Sequence, residues 1–144
     1  MATPRTPTLR DAEALVGLPY RPRRADCMHL AMRVQAELFG RTVRWPAGVR
    51  HPAAHADQLA VMREHIGGIA RPLDAGDVAV TGDAVLWRVA VGTPDEHWHV
   101  GTLFVQFGER WVLHTTAAKG ASVLQRLADC AAEGLRFDGF YRWL

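Results

Sequence analysis

His97-Trp98-His99-Val100-Gly101-Thr102-Leu103-Phe104-Val105-Gln106-Phe107-Gly108-Glu109-Arg110-Trp111-Val112-Leu113-His114-Thr115 reads as two long β-strands joined through Gly108-Glu109. Side chains alternate between the two faces of a strand, so a two-residue turn at Gly108-Glu109 fixes every partner. It pairs Phe107 with Arg110, Val105 with Val112 and Leu103 with His114. His99 and His114 then share a face but stand four residues out of register, about 13 Å along an ideal strand. A bulge, a strong twist or an earlier turn is required to bring them together. Gly101 lies on the same face, where a missing side chain leaves room for a substrate backbone.

The two-residue period extends to both sides of this stretch. Val85, Trp87, Val89 and Val91 alternate, Val78 and Val80 form a shorter strand, and residues 121–127 and 137–143 are further strands. Before Pro72 the period is helical. Thr8-Leu9-Arg10-Asp11 fits a capping box that starts a short helix with Leu9, Ala12, Leu15 and Val16 inward, ending at Gly17. Asp26 caps a second helix, with Leu30, Ala31, Val34 and Leu38 on its apolar stripe and Gly40 as its stop. Residues 55–66 make a third, with Leu59, Met62 and Ile66 on one face. Residues 1–7, with Pro4 and Pro7, form a loose arm. Helices first and strands afterwards, without regular alternation, predict an α+β domain with a mostly antiparallel sheet spanning residues 1–144.

The 144 residues suffice for one core, and a hydrophobic share of 49% with 22% charged is that of an ordinary globular chain. A net charge of +2 gives no argument for a nucleic-acid partner. Two cysteines, Cys27 and Cys130, build no disulfide framework, which points to a reducing compartment. The N-terminus MATPRTPTLR has no apolar core of a signal peptide, and no run approaches a membrane span. The expectation is a cytoplasmic protein without a membrane partner.

Three chemistries fit the reactive residues. Cys27 falls in the first turn of its helix, where the dipole and the nearby Arg23 and Arg24 favour thiolate while Asp26 opposes it. With Cys27 as nucleophile, His99 is its general base and His114 orients the imidazole. Alternatively His97, His99 and His114 ligate zinc, an H-x-H pair plus a third histidine being a known open-site set. In the third case the histidines, three of seven in the chain, have no joint role. Cys130 and the five tryptophans read as structural.

These residues, taken in order, resemble the NlpC family of papain-like cysteine peptidases, which cut peptidoglycan stem peptides. Leu18-Pro19-Tyr20 resembles the family's G-x-P-Y segment, and Asp26-Cys27 with Leu30 its D-C-x-x-L nucleophile helix. Glu37-Leu38-Phe39-Gly40 is similar to the helix ending of the phage-tail-associated branch. Leu73-Asp74-Ala75-Gly76-Asp77-Val78 resembles the P-G-D-L segment before the sheet. His99-Val100-Gly101 matches the H-V-G of the base strand, Val112-Leu113-His114 the strand after it, and Phe140-Tyr141-Arg142 the terminal strand of tail-type members. Met28-His29 stands where the family usually has Ser-Gly or Trp-Gly. The resemblance implies the papain-like fold and an endopeptidase or amidase acting on a stem peptide or muropeptide without a cofactor. It implies Cys27 as nucleophile, His99 as base and His114 as third residue, with Tyr20 and Asp26 near the substrate and the Cys27 N–H as oxyanion donor. It also implies delivery by a phage tail or injection machine, or work on recycled wall fragments. A non-catalytic assembly module of the same fold, such as a tail component, is the alternative.

Overall fold

A computed structural model describes residues 5–22, 24–44 and 63–144. Among the described residues two α-helices lead, α1 (Leu9–Glu13) and α2 (Cys27–Phe39), and six strands follow: β1 (Ala70–Pro72), β2 (Ala84–Val89), β3 (His97–Gln106), β4 (Glu109–Thr115), β5 (Ser122–Arg126) and β6 (Arg136–Trp143). They make one sheet in the order β1-β6-β2-β3-β4-β5, and every neighbouring pair is antiparallel. The expected α+β class with an antiparallel sheet is what is found.

The caps form where the sequence puts them. The Thr8 N–H donates to the Asp11 carboxylate at 2.8 Å, and the Asp26 carboxylate accepts from the His29 N–H at 3.1 Å. Gly40 takes the left-handed conformation, φ 64°, that ends α2. The first helix is shorter than expected, because residues 14–17 continue as turns and Val16 faces solvent. Of the expected third helix, residues 55–62 lie outside the described residues. Residues 63–65 are helical and run into a 3₁₀ turn at Ile66–Gly68.

One strand expectation is corrected, and one strand is additional. Val78 and Val80 belong to no strand: both side chains are exposed, and the Val80 N–H donates to the Asp83 carboxylate at 2.8 Å in a turn. The short β1 was not anticipated, since three residues carry too little pattern to show a period, and pairing with β6 creates it.

The larger correction concerns the central hairpin. Its turn is Phe107-Gly108, both at positive φ (53° and 75°), with Gln106 paired to Glu109 and the ladder running to Thr102 and Leu113. Both central residues of this turn type need positive φ, which a phenylalanine seldom adopts. Moving the turn back by one residue moves each partner by two. Leu103 faces Val112, and continuing the register sets His114 opposite Gly101, two residues from His99 instead of four.

α2 packs on one face of the sheet. Met28 and Ala31 meet Ala84, Leu86 and Val100, while Leu30 and Val34 meet Phe104 and Leu113. The opposite face carries Val85, Trp87, Leu103 and Val112, covered by Cys130 and Leu135 from the segment around a 3₁₀ turn at Leu127–Glu133. The entry of the chain to α2 is tied to β5. The Ser122 N–H donates to the Leu18 carbonyl at 2.9 Å, and the Ser122 hydroxyl donates to the Leu15 carbonyl at 2.6 Å. Tyr20 and the N-terminus of α2 are thereby held beside the open end of β3 and β4.

Candidate active site

Beyond Thr102 and Leu113 the β3–β4 ladder stops, and the N-terminus of α2 meets β3 there. The Val100 N–H, one residue from His99, hydrogen-bonds toward the Cys27 sulfur. A cavity of about 510 Å³ opens at this point, lined by Tyr20, Asp26, Cys27, His97, His99 and Thr115 among others. His114 lies behind it, fully buried.

The register found in the sheet brings the two histidines into contact. His99 Nε2 and His114 Nδ1 are 2.7 Å apart, a hydrogen bond between buried rings. Trp87 covers both, stacked on His99 with centroids 5.2 Å apart and tilted on His114 at 5.4 Å. Its role is packing, as expected, but packing of the site itself. Gly101 makes the contact possible in a way opposite to that expected. A Cβ there would stand 2.5 Å from Val112 Cγ2, 3.1 Å from His114 Cβ and 3.1 Å from the Trp87 ring. The space is filled by the protein's own side chains, with none left for a substrate backbone.

Burial sets the protonation of this pair. It holds His99 well below the usual imidazole range, with the charge of His114 acting in the same direction. Burial also lowers His114, partly offset by its hydrogen bond to Gln125. Both rings are therefore neutral at neutral pH. The Cys27 thiol, half-buried at the cavity wall, is pushed up to about 12, first by desolvation and then by the negative charge of Asp26; N–H groups of Val100, Met28 and Cys27 itself pull the other way without prevailing. The balance left open between helix dipole and Asp26 falls on the side of the neutral thiol, and Arg23 lies outside the described residues. As the first residue of α2, Cys27 has a backbone N–H with no carbonyl acceptor inside the helix, as an oxyanion donor requires.

The remaining candidate residues have interactions of their own. Tyr20 is near enough to Cys27 and Asp26 that their charges, after burial, raise its phenol. Asp26 is buried and binds His29 twice, through the backbone N–H and through Nδ1 at 2.8 Å. His97 Nδ1 donates to the Asp95 carbonyl at 2.7 Å. Nε2 of His99 and Nδ1 of His114 are turned on each other and so are not open to zinc. Among the described residues no group of three His, Cys, Asp or Glu side chains is disposed to hold a metal ion. Cys130 is buried in the opposite core with its thiol raised to about 11.

The sequence reading missed the residues behind His114. Its Nε2 hydrogen-bonds to Gln125 Oε1, Gln125 Nε2 donates to Glu133 Oε1 at 3.3 Å, and Lys119 donates to the same oxygen at 2.7 Å. The one available signal was the spacing of Gln125 on its strand, useful only once β5 is registered on β4 by Val112–Gln125 pairing. Also missed was Thr115, whose hydroxyl is buried beside the cavity without a hydrogen-bond partner.

No protein-family model, curated protein or solved structure matches the chain. Among the described residues no helix is long and apolar enough to cross a membrane.

Proposed function

We propose that the chain is a cysteine hydrolase, an endopeptidase or amidase acting on peptidoglycan stem peptides, with Cys27 as nucleophile, His99 as base and His114 as the residue that orients it. The observation that carries this reading is the 2.7 Å His99–His114 hydrogen bond behind a cavity whose wall holds a helix-N-terminal cysteine. The substrate class comes from the likeness of the motifs to the NlpC family; a cavity of about 510 Å³ has the size for a short peptide segment.

The chemistry starts from an uncharged pair. His99 accepts the Cys27 proton as the sulfur attacks the scissile carbonyl, so the S–C bond forms while the proton moves to the ring. The Cys27 N–H stabilises the resulting oxyanion. Collapse breaks the C–N bond, and imidazolium gives its proton to the leaving amine. Water, deprotonated by the same ring, then releases the acyl group and restores the thiol. Tyr20 and Asp26 stand at the cavity wall as substrate contacts, and access to the cell wall would come through a phage-tail or injection machine.

A non-catalytic assembly module is favoured by one observation, the thiol at about 12. The deciding experiment incubates wild-type and Cys27→Ala protein with defined stem peptides and muropeptides and follows cleavage by mass spectrometry. Cleavage by wild type alone supports the hydrolase. Absence of cleavage across tri-, tetra- and cross-linked peptides, with Cys27→Ala binding its partners as wild type does, moves the reading to the assembly module.

A further inference from the structure

The hydrogen-bond chain that begins at His99 continues through His114, Gln125 and Glu133 to Lys119, the only lysine of the chain. Its outer end has a fixed direction. An ammonium group only donates and an ionised carboxylate only accepts. The Lys119 hydrogen bond is also the largest influence holding Glu133 below the usual carboxylate range, so Glu133 is ionised at neutral pH. A carboxylate facing an amide selects its NH₂, which leaves Gln125 Oε1 turned to His114. An oxygen acceptor requires a proton on His114 Nε2. A neutral imidazole carries a single N–H, so His114 Nδ1 is a lone pair and requires the proton of His99 Nε2. The lone pair of His99 is then on Nδ1.

We propose that Gln125 and Glu133 are positioning residues that set the proton polarity of the His99–His114 pair, placing the basic lone pair on the one His99 nitrogen not bound to His114. The inference rests on the proposed hydrolase only in its last step, where that lone pair serves Cys27. The opposite polarity is the failure mode. With the Gln125 amide reversed, its NH₂ donates to His114 Nε2, His114 Nδ1 carries the proton and gives it to His99 Nε2, and His99 Nδ1 is protonated and cannot act as a base. Glu133 selects against that state by charge, and its own position on a 3₁₀ turn with a partly exposed side chain makes it separable from folding.

The test reads tautomers directly in the full chain labelled with ¹⁵N-histidine, through long-range ¹H–¹⁵N correlations of each ring. Both His99 and His114 are expected to be protonated on Nε2. In Glu133→Ala the Lys119 ammonium takes Gln125 Oε1, the amide turns, and both protons move to Nδ1. Alkylation of Cys27 by iodoacetamide in a Cys130→Ala background then falls about tenfold at neutral pH, a modest part of what a positioned base contributes. Adding Lys119→Ala to Glu133→Ala removes the ammonium and returns the Nε2 tautomers at least in part. Nδ1 protonation in the wild type overturns the proposal, and so does a Glu133→Ala spectrum unchanged from wild type. Nε2-protonated rings that respond to Glu133 in a protein that cleaves no peptide uphold the proposal and sink the hydrolase reading instead.

Discussion

At the scale of single residues the candidate site is a contest between burial and charge, and Cys27 shows how it ends. Its thiol sits at the positive end of α2 yet is raised to about 12, with desolvation as the first cause and Asp26 as the second. Asp26→Asn keeps a good N-cap and removes the charge, so the thiol should drop and Cys27 alkylation at a fixed neutral pH should rise by up to about tenfold, one pKa unit being a tenfold change in thiolate. Iodoacetamide kinetics in a Cys130→Ala background check this, and an unchanged rate would remove Asp26 as a cause. Gly101 is the second residue whose effect is local. Gly101→Ala drives a Cβ against Val112, His114 and Trp87, so it should cost about 1–3 kcal/mol, the usual range for overpacking. Urea unfolding measures the loss, and the imidazole proton resonances of His99 and His114 should shift as their hydrogen bond is disturbed. Cys27, His99 and His114 were legible in the sequence because their side-chain chemistry is rare and spaced by recognisable periods. Gln125 and Glu133 were not, because an amide and a surface carboxylate acquire their meaning from what they face, which only the fold decides.

At the scale of elements, legibility followed the strength of the local signal. α2 was readable from end to end because cap, apolar stripe and terminal glycine agree. Val78 and Val80 alternate as a strand does, but a turn closed by Asp83 takes them out of the sheet, a long-range outcome that a two-residue period cannot report. The central hairpin failed by one residue for a specific reason: Phe107 occupies a left-handed position that its side chain disfavours, with 96% of that side chain's residue surface exposed and so little packing to offset the strain. Phe107→Asn should therefore stabilise the protein by about 1 kcal/mol, since asparagine tolerates this conformation in two-residue hairpins. Thermal or urea unfolding tests the sign, and a destabilised variant would mean that Phe107 makes contacts outweighing its backbone strain. The register itself, and hence the His99–His114 hydrogen bond, should survive the substitution.

At the scale of the whole molecule, the sheet order makes the site and a pH dependence from the same arrangement. β3 and β4 are interior strands of the sheet, Trp87 from β2 covers their histidines, and the segment around Leu127–Glu133 closes over that face. Two imidazoles are thus kept in surroundings that disfavour their charged forms, and burial lowers both from the ordinary 6.5. The unfolded chain binds two protons near that value which the folded chain refuses. Stability is then complete above the unfolded value and is lost as pH falls below it, by up to about 1.4 kcal/mol per pH unit for each ring until the folded form also takes up its proton. The carboxylates lowered by their partners, Asp11, Asp77 and Glu133, act in a separate window, because their contribution begins to fall only near the carboxylate range. The interval between about pH 6.5 and pH 5 therefore reports on the histidine pair. The urea midpoint should be level above neutrality and decline through this interval, and the decline should flatten in a His99→Gln, His114→Gln double variant whose fold is verified by circular dichroism. A level midpoint down to about pH 5 would mean that the two rings accept protons as freely in the fold as outside it. The burial that keeps both rings uncharged below the ordinary imidazole range would then be absent as well, so one titration of stability bears on both the packing of the sheet and the protonation of the pair at its open end.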